Sequence, residues 1–96
     1  MKRCRWTTLA ANDLKSISSF IELRRGLATA NRVCRAIYDA VQMLRRFPES
    51  GRIEIEEGTR ELVVPAFPSY IVAYRVSHPE AIEILRIWHA AQQRRE

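Results

Sequence analysis

Apolar positions recur every three to four residues through the first half of the chain and at strand spacing through the second. In TLAANDLKSISSFIELRR, Ala10, Leu14, Ile17 and Ile21 fall on one stripe of a helix. Thr7 or Thr8 is placed to cap its start, because a hydroxyl oxygen accepts from N–H groups that have no partner in the first turn. Arg24 and Arg25 suit the negative end of the helix dipole, and Gly26 ends the helix. Ala30, Val33, Cys34, Ile37, Val41 and Leu44 form a second stripe, closed by Arg45 and Arg46 and stopped by Pro48. Two amphipathic helices joined by a short turn predict an antiparallel helical hairpin.

Residues 3–6, RCRW, predict a short strand before the hairpin. Residues 49–59 carry Gly51 and Gly58 and read as a connector with a weak edge strand at 52–55. Residues 60–64, RELVV, predict a strand that Pro65 stops. Residues 69–77, SYIVAYRVS, and 81–88, AIEILRIW, predict two more, joined by a turn at His78-Pro79-Glu80. Short connections imply an antiparallel meander. The predicted class is α+β in the order β-α-α-β-β-β, with the hairpin on one sheet face and the other face open. Alternation puts Tyr70, Val72, Tyr74 and Val76 on the core face, and Arg75 with Ile71 and Ala73 on the other. On the last strand it puts Leu85 and Ile87 in the core, and Arg86 beside Ile84 and Trp88.

Composition narrows the class. Ninety-six residues, 47% of them hydrophobic, suit one folded domain. No run of apolar residues is long enough to span a bilayer, and MKRCRWTTLAANDLK lacks the apolar core of a secretory leader. Cys4 and Cys34 stand far apart without zinc-ligand spacing, which suggests free thiols in a cytoplasmic protein, with no metal and no cofactor. The net charge is +5, and Arg outnumbers Lys by 14 to 2. Residues 1–52 hold 11 basic and 4 acidic side chains, whereas residues 53–96 hold 5 basic and 7 acidic. A chain that grips RNA with its C-terminal half would not be acidic there.

Two chemistries compete for the polar residues of that half. Metal-free RNA cleavage needs a base, an acid and cations around the phosphorane. His89 offers the base or acid, Arg60, Arg75 and Arg86 the cations, and Glu56, Glu57 or Glu61 a carboxylate. The plainer reading pairs these arginines with Glu61 and Glu83 in surface salt bridges and leaves His89 as a strand-end residue. Trp88 is either core or an aromatic anchor at an interface. The cations of the hairpin, Arg24, Arg25, Arg32, Arg35, Arg45 and Arg46, form a solvated face or a dock for an acidic partner. The tail, residues 90–96, is helix-friendly but too short to hold a helix alone.

Five pieces in order resemble the RelE/ParE superfamily of bacterial type II toxins. They are Ala10-Ala11-Asn12-Asp13-Leu14-Lys15-Ser16-Ile17; Leu44…Phe47-Pro48-x-x-Gly51-Arg52; Gly58-Thr59-Arg60-Glu61-Leu62; Tyr70-Ile71-Val72-Ala73-Tyr74-Arg75-Val76; and Ile84-Leu85-Arg86-Ile87-Trp88-His89. The resemblance spans nearly the whole chain and sits nearer the ParE branch. It implies a single toxin domain over residues 1–96, neutralised by an acidic, partly disordered antitoxin. ParE-like members poison DNA gyrase, which implies gyrase or the gyrase–DNA complex as target, with the hairpin cations meeting its DNA as a further reading of that charge, whereas RelE-like members cut mRNA on the ribosome. On the ParE-like reading Arg60, Arg75, Arg86, Trp88, His89, Arg94 and Arg95 contact the target or the antitoxin. The resemblance also gives the C-terminal end, including Gln92, a part in toxicity. On the RelE-like alternative His89, Arg75, Arg60 and Arg86 do the chemistry.

Overall fold

The computed structural model describes residues 1–54, 58–78 and 81–91. Strand β1 (Arg3–Trp6) leads into helices α1 (Thr8–Arg25) and α2 (Leu27–Arg46). Strands β2 (Arg52–Ile53), β3 (Thr59–Val63), β4 (Tyr70–His78) and β5 (Ala81–His89) follow.

Thr7 caps α1, and its hydroxyl accepts from the Ala10 N–H at 3.0 Å. Gly26 serves both helices at once. Its φ of 94° turns the chain, its N–H closes α1 on the Glu22 carbonyl, and its own carbonyl accepts the Ala30 N–H of α2. The second helix buries Ala30, Val33, Ile37, Ala40, Val41 and Leu44, close to the predicted stripe, although Cys34 is only half-buried. The first helix buries fully only Ala10 and Ile21, while Leu14 and Ile17 lean on the core from its margin.

The sheet order is β1-β5-β4-β3-β2. The meander β2–β5 is antiparallel, as the short connections require. The sheet as a whole is mixed, because β1 lies parallel to β5. The helical hairpin carries the chain from β1 at one edge to β2 at the other, so β1 and β5 can run the same way. The expected strand over 52–55 is two residues long, and Ile55 lies outside the described residues.

One face of the sheet packs against the hairpin through Tyr74, Val72, Ile82, Ile84 and Ile87, with Cys4 and Trp6 of β1 at the margin. Alternation along β5 departs from the expected pattern. Tyr74 pairs with Ile84 but Ala73 pairs with Arg86, so Leu85 is an extra residue at a bulge. The bulge lets Ile84 and Ile87 both enter the core, whereas simple alternation had placed Leu85 there and Ile84 outside. Leu85 is half-buried instead.

Candidate functional site

The face turned away from the helices is the open side of the sheet, and strand register arranges it in three rows. One row runs Arg5–Glu83–Arg75–Thr59 across β1, β5, β4 and β3. The next runs Arg86–Ala73–Glu61–Arg52. The third is apolar: Trp88–Ile71–Val63. Trp88, Leu85, Leu9 and Thr59 help to line a shallow depression of about 500 Å³ on this side.

Charges on this face alternate in sign. Glu83 sits between two arginines, 3.3 Å from the Arg5 guanidinium and 3.8 Å from that of Arg75. Arg52 meets Glu54 at 3.2 Å. Such partly exposed pairs each contribute between nothing and about 1 kcal/mol, but they cancel the local field of the cations. Glu83 is thus the Arg75 partner expected from sequence.

The partner of Arg86 is one that sequence reasoning missed. Its Nε donates to Asp13 Oδ2 at 2.8 Å, and its Nη2 donates to Oδ1 at 3.1 Å. This fork raises the Arg86 pKa above the usual guanidinium value, the hydrogen bonds to Asp13 outweighing partial burial. Asp13 Oδ2 also accepts the backbone N–H of Ile87 at 2.9 Å. The reason lies in the edge. Strand β1 ends opposite Ile84, so beyond it β5 runs on with β4 on one side and, among the described residues, no strand on the other. Thr7 continues the edge, donating its N–H to the Ile84 carbonyl and its hydroxyl to the Leu85 carbonyl, each at 3.0 Å. Asp13, nearly two turns further along α1, accepts the Ile87 N–H.

Arg60 points the other way. It pairs with Tyr74 and so shares the helix-side face. Its Nη1 donates to the Gly51 carbonyl at 2.8 Å and to the Glu49 carbonyl at 3.3 Å. The Tyr74 hydroxyl joins it, accepting the Gly51 N–H at 2.8 Å and donating to the Pro48 carbonyl at 2.6 Å. Burial pushes the Tyr74 phenol pKa up, against the opposing effects of the Gly51 hydrogen bond and Arg60. Gly51 has no room for a side chain, since an added Cβ would lie 2.6 Å from the Tyr74 oxygen.

His89 ends β5 opposite Tyr70, one residue longer than the predicted strand. The two rings meet edge to face with centroids 5.1 Å apart, and Nδ1 accepts the Ala91 N–H at 3.1 Å. Alternation sets His89 on the side of Ile87, opposite the side that carries Arg86 and Trp88. Trp88 is half-buried on the open side, with the Arg86 guanidinium 5.8 Å from its ring centre. The structure therefore brings Arg75, Arg86 and Trp88 to one face and His89 to the other, while Arg60 borders the same depression but turns its guanidinium to the Glu49 and Gly51 carbonyls. Arg94, Arg95 and Gln92 lie outside the described residues, as do Glu56 and Glu57. Among the described residues, no three of His, Cys, Asp and Glu gather as metal ligands would. No helix among them is long and apolar enough to cross a membrane.

Three comparisons bear on this arrangement. Residues 4–94 match the family model described as ParE toxin of type II toxin-antitoxin system, parDE. The protein named "Putative toxin Y4kP" from Sinorhizobium fredii (strain NBRC 101917 / NGR234) is 44% identical over 92 residues, covering 96% of this chain and 92% of that one. A solved structure titled "Chromosomal ParDE TA system from P. aeruginosa" superposes with a TM-score of 0.81 at 27% identity, over 93% of this chain and 96% of the other.

Proposed function

The chain belongs to the ParE toxin family of parDE type II toxin–antitoxin systems, and from that premise we propose that it inhibits DNA gyrase by binding and is neutralised by its cognate antitoxin. The alternating charges of the open face carry this reading. A ribonuclease of this shape needs cations left available to a phosphorane, together with an acid–base group beside them. Here Arg75 faces Glu83, Arg86 is held by Asp13, and His89 stands on the opposite face against Tyr70. A binding toxin needs shape and an anchor instead. On either side of the buried Ile71, the exposed Val63 and the half-buried Trp88 supply apolar contact area, and Trp88 is the type of residue that dominates interface energy. On this reading the contact surface is the open face with Trp88, Arg75 and Arg86, extended by the tail that holds Arg94 and Arg95. The chain needs no cofactor and performs no bond chemistry of its own.

Induced expression in growing bacteria tests the proposal. Gyrase poisoning gives the DNA-damage response and filamentation while translation continues. Arrest of translation within minutes, without that response, would favour the RelE-like alternative.

A further inference from the structure

The C-terminal end of α2 gathers positive charge. A shallow hollow of about 390 Å³ lies there, lined by Met1, Lys2, Arg45, Arg46 and Pro48. It shares no lining residue with the depression on the open face. Its walls are fixed from both sides. The Lys2 N–H donates to the Arg45 carbonyl at 3.0 Å, and the Arg45 Nε donates back to the Lys2 carbonyl at 2.7 Å. The Pro48 carbonyl accepts from the Tyr74 hydroxyl. Gln42 Oε1 accepts from Arg45 Nη1 at 2.9 Å. The acceptors around Arg45 are neutral, so its guanidinium is held in place with its charge intact. Arg46 is exposed. Among the described residues no carboxylate pairs with Arg45 or Arg46, whereas on the open face Arg5, Arg75 and Arg86 each have one.

We infer that this hollow holds the phosphodiester backbone of duplex DNA, with Lys2, Arg45 and Arg46 as the contacts. The inference rests on the gyrase reading for the DNA that the chain meets, and it adds a second surface to the open face. The helix dipole does not account for the cluster. It places about half a negative charge at the end of α2, against three cations in the lining. Glu49, the next carboxylate along the chain, lines an adjoining hollow that shares Lys2 and Pro48. Counted in full, it still leaves the cluster positive. A guanidinium suits two phosphate oxygens at once. No aromatic ring lines the hollow, and the exposed Phe47 follows Arg46 but stands outside the lining. Unpaired bases bind by stacking on such rings, so contacts to a paired backbone are favoured. An acidic protein segment needs apolar anchors beside the cations, and the lining offers it only Met1 and Pro48. With two separate surfaces the chain can touch the enzyme and its DNA together, and phosphate contacts require no particular sequence.

Fluorescence anisotropy of the purified chain with a short labelled DNA duplex, over a range of salt, tests the assignment. Three phosphate contacts predict that log K falls with log salt at a slope of about −2.7. Lys2→Gln with Arg46→Gln removes two of them and leaves the backbone bonds at Lys2 and the side chain of Arg45 in place. This pair is expected to weaken binding at least tenfold at low salt and to reduce the slope by about 1.8. Circular dichroism of each variant confirms that it is folded. Arg24→Gln with Arg25→Gln, at the hairpin turn, removes the same charge and is expected to leave affinity within threefold. If that control costs as much as the cluster pair, binding is the diffuse attraction of a chain of net charge +5 and the assignment is wrong. Tighter binding to a single strand or an RNA duplex of the same length would overturn the choice of duplex DNA. A poly-glutamate peptide that binds as tightly, and is lost in the same variant, would make the cluster a carboxylate receptor instead. If the wild-type chain binds no duplex at low salt, the hollow is not a DNA site. Inhibition of supercoiling is measured separately, so the gyrase reading stands or falls on its own.

Discussion

The Asp13 carboxylate and the Arg86 guanidinium stand 73 positions apart in sequence and meet through two hydrogen bonds of 2.8 and 3.1 Å. The same carboxylate closes the exposed edge of β5 by accepting the Ile87 N–H. One side chain therefore fixes α1 to the sheet, blunts an edge, and occupies a cation that a nuclease would use. Unpaired strand edges invite pairing with other chains, and a side chain that takes up the free donor removes that invitation.

Asp13→Ala removes an ion pair and strands a backbone donor together. The expected loss is about 1–3 kcal/mol of stability, and Asp13→Asn, which keeps an acceptor for Ile87, should lose less. Urea denaturation followed by circular dichroism measures both. Equal stability of the Ala variant and the wild type would show that the pair is ornamental.

The Tyr74 hydroxyl holds the chain between Pro48 and Gly51, and Arg60 holds it from the other side. Tyr74→Phe leaves the Gly51 N–H without its acceptor, at an expected cost of about 1–3 kcal/mol. Gly51→Ala forces a methyl group against a fully buried ring, with a cost of similar size. Thermal melts should fall by several degrees in each case. The double variant should lose less than the sum of the two, because the hydroxyl that the methyl group strikes is then absent.

Strongly alkaline pH should weaken the fold. Burial raises the phenol pKa of Tyr70 and of Tyr74 above the ordinary value of about 10. The folded state thus holds these protons longer than the unfolded state does. Their contribution is complete below the unfolded value and is lost as pH rises through the folded ones. Stability measured at increasing pH should stay level with respect to these groups up to about 10 and then decline, with a shallower decline in Tyr74→Phe.

Much of the architecture was legible in the chain. The helical stripes, the Thr7 cap, the Gly26 turn and three of the strands follow from local spacing, which needs no knowledge of partners. Two features were not legible, for one reason. The bulge at Leu85 and the bond from Asp13 to Arg86 depend on what lies beside β5, and strict alternation assumes an uninterrupted ladder. The same limit applies to Arg60. As a cation near a strand start it read as a candidate site residue, while its registry with Tyr74 turns it toward the loop at Gly51. The parallel pairing of β1 was hidden as well, since a four-residue strand carries no mark of direction.

His89 and Trp88 separate the two chemistries in cells. His89→Ala should leave growth inhibition largely intact, whereas Trp88→Ala should weaken it roughly tenfold or more if the tryptophan anchors the target. Removing residues 90–96 tests the tail. Loss of toxicity in His89→Ala with retention in Trp88→Ala would reverse the assignment.

The most direct measurement adds purified chain to two reactions side by side, gyrase with relaxed plasmid and programmed ribosomes with a defined message. Inhibition of supercoiling with the message intact is the predicted result. Cleavage of the message while supercoiling proceeds would contradict it.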